Sequence, residues 1–162
     1  MTNNVQRFMI SISAGAMLAI GANAAVAQTN PAIGTWEMNV ARSTVDAKDA
    51  ARSETFIFAN SAKGITLTTN ITAANGKKST HISDPAPWDG VAHAVSDSSD
   101  HDSIMVKPVG AGLVSYSFMK AGAVTNSGTL AVSKDGSMLT IAGARTSAKG
   151  DKVFYNTVFD RK

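Results

Sequence analysis

The chain has 162 residues, enough for one ordinary domain and too few for two. It contains no cysteine, which excludes a disulfide scaffold and a thiolate nucleophile. Its 15 Lys and Arg and 12 Asp and Glu residues are scattered and alternate in sign. Without a basic stripe, we expect no nucleic acid partner.

The first 27 residues have the pattern of a secretory signal peptide. Arg7 supplies the positive charge, residues 8–22 form an uncharged apolar run, and Ala25-Val26-Ala27 is a small-x-small cleavage site. The apolar run is shorter than the ~20 residues that span a bilayer. We therefore predict cleavage after Ala27, a domain at 28–162 without an integral membrane span, and a periplasmic or secreted location.

Near the start of the domain, Gly34-Thr35-Trp36 suggests the first strand of a barrel with the indole of Trp36 closing one end. Residues 41–52 indicate a helical turn or lid, with Ser43 able to cap it, or a plain loop. Nearly perfect alternation over 65–72 is typical of a half-buried strand. Asn75-Gly76 then predicts a hairpin, because both residues accept a positive φ.

Further along the chain, Pro85 and Pro87 should stop strand pairing, because proline lacks a backbone donor. Residues 108–112 and 134–137 are predicted turns. Short strands recur throughout the domain. The predicted strands are 33–40, 55–59, 65–72, 77–83, 91–95, 103–107, 113–120, 123–133, 138–142 and 152–160. Regular short strands with hairpin-length connections predict an all-β fold, an antiparallel up-and-down β-barrel of about 8–10 strands with little helix.

These residues also carry a family resemblance. The run from Ile33 to Ser43, IGTWEMNVARS, resembles the opening of small exported bacterial lipocalin-like (calycin) proteins. The turn Trp88-Asp89-Gly90 and the later segments 133–136 and 145–150 fit the same pattern. The resemblance implies a lipocalin-like barrel over nearly all of 31–162 and implies little about activity. The proline-rich segment 84–87 and the acidic loop 97–102 depart from the family pattern.

The polar clusters do not predict a metal site. The densest cluster comprises Asp97, Asp100, His101 and Asp102. It lacks EF-hand spacing, and His81, His93 and His101 lack the spacing of a zinc site. Neither a Gly-x-Ser-x-Gly elbow nor a Gly-x-Gly-x-x-Gly or Walker motif occurs. We therefore predict no metal and no cofactor.

A pocket could be lined by aromatic side chains with a few polar tips. Tyr116 and Tyr155 are predicted to point inward with His81 beside them, and Trp88 and His93 to lie at a mouth. The predicted ligand contacts are His81, Trp88, His93, Tyr116, Phe118 and Tyr155. The alternative for the aromatic residues, including Phe56 and Phe58, is ordinary core packing.

Three functions remain open. The first is a periplasmic barrel that binds a small apolar or amphipathic molecule. The second is a small enzyme of lyase, isomerase or hydratase type, with His81 as the best general-base candidate because an imidazole titrates near neutrality. The third is a structural envelope protein, which predicts a barrel filled by side chains. An open cavity with converging polar groups would separate the first two from the third.

Overall fold

The computed structural model describes residues 30–44, 51–96, 98–147 and 149–162. Ten strands account for most of them. The strands are β1 (Gly34–Met38), β2 (Ser53–Ser61), β3 (Gly64–Thr72), β4 (Lys78–Ile82), β5 (Ala92–Ala94), β6 (Ser103–Gly110), β7 (Leu113–Lys120), β8 (Ala123–Val132), β9 (Met138–Thr146) and β10 (Lys152–Arg161). Within the described residues the only helical segment is a 3₁₀ turn at Val40–Arg42.

All ten strands belong to one antiparallel sheet in the order β4-β3-β2-β1-β10-β9-β8-β7-β6-β5. Consecutive strands pair with each other except β4 and β5, and β1 pairs with β10 to join the two halves. This confirms the predicted all-β, up-and-down fold. The strands β4 and β5 are the two edges of the sheet. The sheet therefore curls into a barrel that backbone pairing leaves open between β4 and β5.

The segment between β4 and β5 crosses this gap. Ala86 exchanges two backbone hydrogen bonds with Ile65 of β3, both 3.0 Å long. Gly90 donates its N–H to the carbonyl of Val106 on β6. The expectation that the prolines here would stop pairing was thus wrong at Ala86. Ala86 keeps both of its backbone groups, and the missing donors belong to the prolines on either side.

Two other local predictions need correction. The predicted turn at 108–112 begins too early, because β6 continues through Pro108 to Gly110 with a bulge. A proline is tolerated there because β5 pairs with β6 only at residues 103–105, which leaves that side of Pro108 without a partner strand. The short helix is capped by Asn39, whose side chain accepts from the N–H of Arg42, and Ser43 lies at its other end. Residues 45–50 of the predicted helix or lid lie outside the described residues.

The core fills one end of the barrel around Trp36, which is fully buried as predicted. Its Nε1 donates to the carbonyl of Ala32 at 2.8 Å, and the guanidinium of Arg161 lies 4.1 Å from the ring centroid. Arg161 also donates to the carbonyls of Ile33 and Pro31. Gly34 has φ 138°, and a Cβ there would lie 2.6 Å from Arg161 Nη1. Gly34 therefore leaves room for Arg161, whose guanidinium stacks on the indole of Trp36 at this end of the barrel.

Candidate ligand-binding cavity

A cavity of about 350 Å³ lies inside the curled sheet. Most of its wall is apolar or aromatic. These lining residues are Phe56, Phe58, Ile65, Leu67, Ala86, Trp88, Val95, Ile104, Val106, Val114, Phe118, Leu130, Ile141 and Phe159. The polar members are Glu54, Thr69, His81, Ser83, Asp84, His101, Tyr116, Asn126, Tyr155 and Thr157. An apolar wall with a few polar groups is the usual composition of a small-molecule site.

Strand alternation selects which side chains reach the cavity. On β7 the inward face is Val114, Tyr116 and Phe118. On β10 it is Tyr155, Thr157 and Phe159. Both faces of each strand mix apolar and polar residues, so the sequence alone left the choice open. The structure places the three residues of one face in the wall in each case.

The aromatic side chains form the walls by contacting one another. Phe56 stacks on Phe159 with ring centroids 4.6 Å apart, and Phe58 meets Trp88 edge to face at 6.1 Å. Such pairs hold the rings in fixed orientations. Across the cavity Phe118 contacts both Tyr116 and His101. The cavity thus has preformed aromatic surfaces on both sides.

A cross-strand row of four residues gives the cavity its polar feature. In register across β7, β8, β9 and β10 lie Tyr116, Gly128, Gly143 and Tyr155, which we call the tyrosine rung. A Cβ on Gly128 would lie 2.7 Å from Tyr116 Oη, and one on Gly143 would lie 2.7 Å from Tyr155 Oη. The two tyrosines therefore lean over the glycines and meet. Only glycine leaves room for the hydroxyl groups at these positions.

The hydroxyl groups of the rung form a directed hydrogen-bond chain. Tyr155 donates to Asn126 Oδ1 at 2.6 Å. Its single proton is then used, so in the hydrogen bond between the two hydroxyls Tyr116 is the donor. Burial raises the pKa of Tyr116 well above its ordinary value, and the hydrogen bond to Tyr155 adds to this. Tyr116 is therefore neutral at physiological pH and keeps a free acceptor lone pair on its oxygen.

Glu54 is a half-buried acidic group of the cavity wall. It lies on β2 with Phe56 and Phe58 on the same inward face, and pairs in register with Ile71 of β3. Burial raises the pKa of its carboxyl to about 7. Desolvation disfavours the charged form, and no positive charge contributes in the opposite direction.

The three histidines have different surroundings. His81 lines the cavity from the edge strand β4, where its side chain is exposed. His101 also lines it, contacting Phe118 and hydrogen-bonded to Ser98 through Nδ1 at 3.0 Å. His93 is not part of the lining. Its Nε2 lies 3.0 Å from the carboxylate of Asp89, outside the cavity.

The acidic loop does not assemble into a cluster of ligands in the part of the chain that the structure describes. Asp97 lies outside the described residues. Asp102 accepts the backbone N–H of Ala121, which is the main cause of its lowered pKa. Among residues 30–44, 51–96, 98–147 and 149–162, no three His, Asp or Glu side chains are grouped as metal ligands would be.

Five of the six predicted contact residues lie in this one cavity: His81, Trp88, Tyr116, Phe118 and Tyr155. Sequence reasoning missed Glu54 and Asn126, and it missed the glycines of the rung. A signal was present for Glu54 and for the glycines. Glu54 precedes Phe56 and Phe58 with period two, and a glycine inside a strand often marks a close approach.

No known protein family matches the sequence, and no curated protein does. Among solved structures, the zebrafish ileal bile acid-binding protein complexed with cholic acid is similar, with a TM-score of 0.49 and 11% identity. The similarity covers 82% of this chain and 99% of that one. The siderocalin Ex-FABP, described as functioning through dual ligand specificities, has a TM-score of 0.38 and 8% identity over 82% of this chain and 71% of its own. Similarities this low do not indicate a shared ligand.

Within the described segments, no helix reaches the length and hydropathy needed to cross a membrane.

Proposed function

We propose that this chain is an exported lipocalin-like protein that binds one small apolar or amphipathic molecule inside its barrel. The observation that carries the proposal is the cavity of about 350 Å³ with its mainly apolar and aromatic wall. Ligand sites commonly have volumes of roughly 300–1,000 Å³ and a few placed polar groups. The cavity is within that range, and the tyrosine rung and Glu54 are its placed polar groups.

The wall chemistry favours an apolar body. Each Å² of apolar surface removed from water contributes roughly 25 cal/mol, so a ligand gains affinity by filling the space between the aromatic pairs. The aromatic rings contact one another and are held before any ligand arrives, which lowers the entropic cost of binding. A structural envelope protein would instead have a barrel filled by its own side chains, and the cavity argues against that alternative.

Binding can be tested with the neutral fluorescent probe N-phenyl-1-naphthylamine and two variants of β3. Thr69 lines the cavity, whereas the adjacent Thr68 does not and, by strand alternation, points to the opposite face. Thr69→Phe should fill part of the cavity and weaken probe binding by about tenfold or more. Thr68→Phe adds the same ring outside and should leave the affinity unchanged. Equal effects of both substitutions, or no probe binding by the wild type, would contradict the proposal.

A retained molecule would identify the ligand class directly. Native mass spectrometry of protein purified from the cell envelope of its own host should show a bound species of small mass in addition to the polypeptide. Organic extraction should then release it.

A further inference from the structure

The ionisable groups of the cavity have an uneven distribution of charge. The groups in the lining that can titrate are Glu54, Asp84, His81, His101, Tyr116 and Tyr155. No Lys or Arg is among the described lining residues, although the whole chain has a net charge of +3. Among the described lining residues, a ligand therefore meets two carboxylates and two histidines but no Lys or Arg.

Glu54 is the group of this set that a ligand could satisfy. Among the described residues, no hydrogen bond or ion pair involves its carboxyl group. Burial without a partner raises its pKa to about 7. Asp84 differs, because the backbone and hydroxyl groups of Ser96 donate to it and hold its pKa below the ordinary value. An unpaired carboxylate beside aromatic walls is costly unless a ligand supplies the missing charge or donor.

The tyrosine rung leads to the same requirement. Tyr116 donates its only proton to Tyr155, so it offers a ligand only an acceptor. A ligand that donates hydrogen bonds would therefore suit both the Glu54 carboxylate and the Tyr116 hydroxyl. Arg145 of β9 lies in backbone register with Asn126 and Val153, and it is not one of the lining residues.

We propose that the ligand is an apolar molecule with a protonated amine, and that Glu54 binds the ammonium group. This rests on the proposed binding function and names the chemical class of its ligand. The ammonium donates to the Glu54 carboxylate, and the apolar body packs between the aromatic pairs. A fatty acid of equal length fits the same walls but places its carboxylate among acidic groups, where like charges repel.

Three probes with the same alkyl chain test the proposal: decylamine, decanoic acid and decanol. Each is used below its micelle-forming concentration to displace N-phenyl-1-naphthylamine at about pH 8, where a carboxyl with a pKa of about 7 is mostly ionised. The expected dissociation constant of decylamine is at least about tenfold lower than that of decanoic acid, with decanol between them.

Two matched variants test whether Glu54 causes the preference for decylamine. Glu54→Gln should bring the affinities for decylamine and decanol together, because the amide has no charge to pair with the ammonium. Glu37→Gln is the control, since Glu37 pairs with Lys162 outside the cavity. It should keep the wild-type order.

The outcomes separate this inference from the function on which it rests. If all three probes bind wild type but decanoic acid binds as well as decylamine, the amine proposal is overturned and a binding function stands. A preference for decylamine that survives in Glu54→Gln overturns the role of Glu54. If neither the dye nor any alkyl probe binds, the binding function itself fails.

Discussion

Trp36 combines complete burial, a hydrogen bond to Ala32 and a stacked guanidinium from Arg161. We expect Trp36→Ala to lower the free energy of unfolding by about 3–5 kcal/mol, as other truncations of large core side chains do. Urea denaturation followed by circular dichroism measures this. A loss below about 1 kcal/mol would show that the indole does not hold this end of the barrel closed.

Glu54 should make stability depend on pH. Its folded-state pKa of about 7 lies above the ordinary value of 4.5, so folding favours the protonated carboxyl. Its contribution is therefore complete below pH 4.5 and is lost as the pH rises through 7. We expect Glu54→Gln to be more stable than wild type by about 1–3 kcal/mol at pH ~8 and nearly equal to it at pH ~4.5. Urea denaturation at both pH values measures the difference.

The control for this pH series is Glu37→Gln. Its side chain is paired with Lys162 on the outside of the barrel. Unlike Glu54→Gln, this variant should not gain stability over wild type as the pH rises, because Glu37 loses an ion pair rather than a desolvated charge. If Glu54→Gln and wild type differ by the same amount at both pH values, the carboxyl does not titrate near neutrality in the folded protein.

At the scale of strands, the tyrosine rung links four elements through two glycines. Gly143→Ala would place a Cβ 2.5 Å from the carbonyl oxygen of Ser127 and 2.7 Å from Tyr155 Oη. We expect a loss of stability of about 1–3 kcal/mol from the overpacking, together with weaker probe binding. The matched control is Gly110→Ala, where the nearest heavy atom would lie 3.7 Å away and stability should change little. Equal effects at the two positions would contradict the claim that the rung needs glycine at Gly143.

The order of the strands was largely predictable because turns carry local signals. Asn75-Gly76 lies between β3 and β4, and the turn at 134–137 lies between β8 and β9, both as expected. In each turn the glycine, Gly76 or Gly136, has a positive φ, whereas Asn75 does not. Period-two alternation defined strands such as 65–72. The boundaries were less accurate: β9 continues to Thr146 and β6 runs through Pro108. Pairing with strands that are distant in the sequence extends β6 and β9, and no local sequence pattern encodes that pairing.

The site was less predictable, because it depends on register. Tyr116 and Tyr155 are 39 residues apart in sequence. Their contact requires the correct register between β7 and β8, between β8 and β9, and between β9 and β10. A one-residue slip at any of them would move a tyrosine to the outer face. Glu54 was missed for a different reason. A single charged residue at the start of a strand is usually solvated, and its burial appears only when the opposite wall is in place.

At the scale of the whole chain, export remains a proposal that depends on Arg7, the apolar run at 8–22 and Ala25-Val26-Ala27. We expect the mature protein to begin at Gln28 and to be recovered from the periplasm or the medium. N-terminal sequencing of material from fractionated cells measures this. Protein that begins at Met1 in an exported fraction would contradict it.

We propose that the space inside the barrel is the binding site. The most direct test is a ¹³C-methyl NMR titration with N-phenyl-1-naphthylamine, comparing inward and outward methyl groups of one sheet. Val106, Leu130 and Ile141 line the cavity, whereas Ile82 and Val124 are exposed and lie outside its lining. We expect the resonances of the first three to shift in proportion to occupancy while the other two stay in place. Shifts confined to Ile82 and Val124, or no shifts at saturating probe, would show that the probe does not bind inside the barrel.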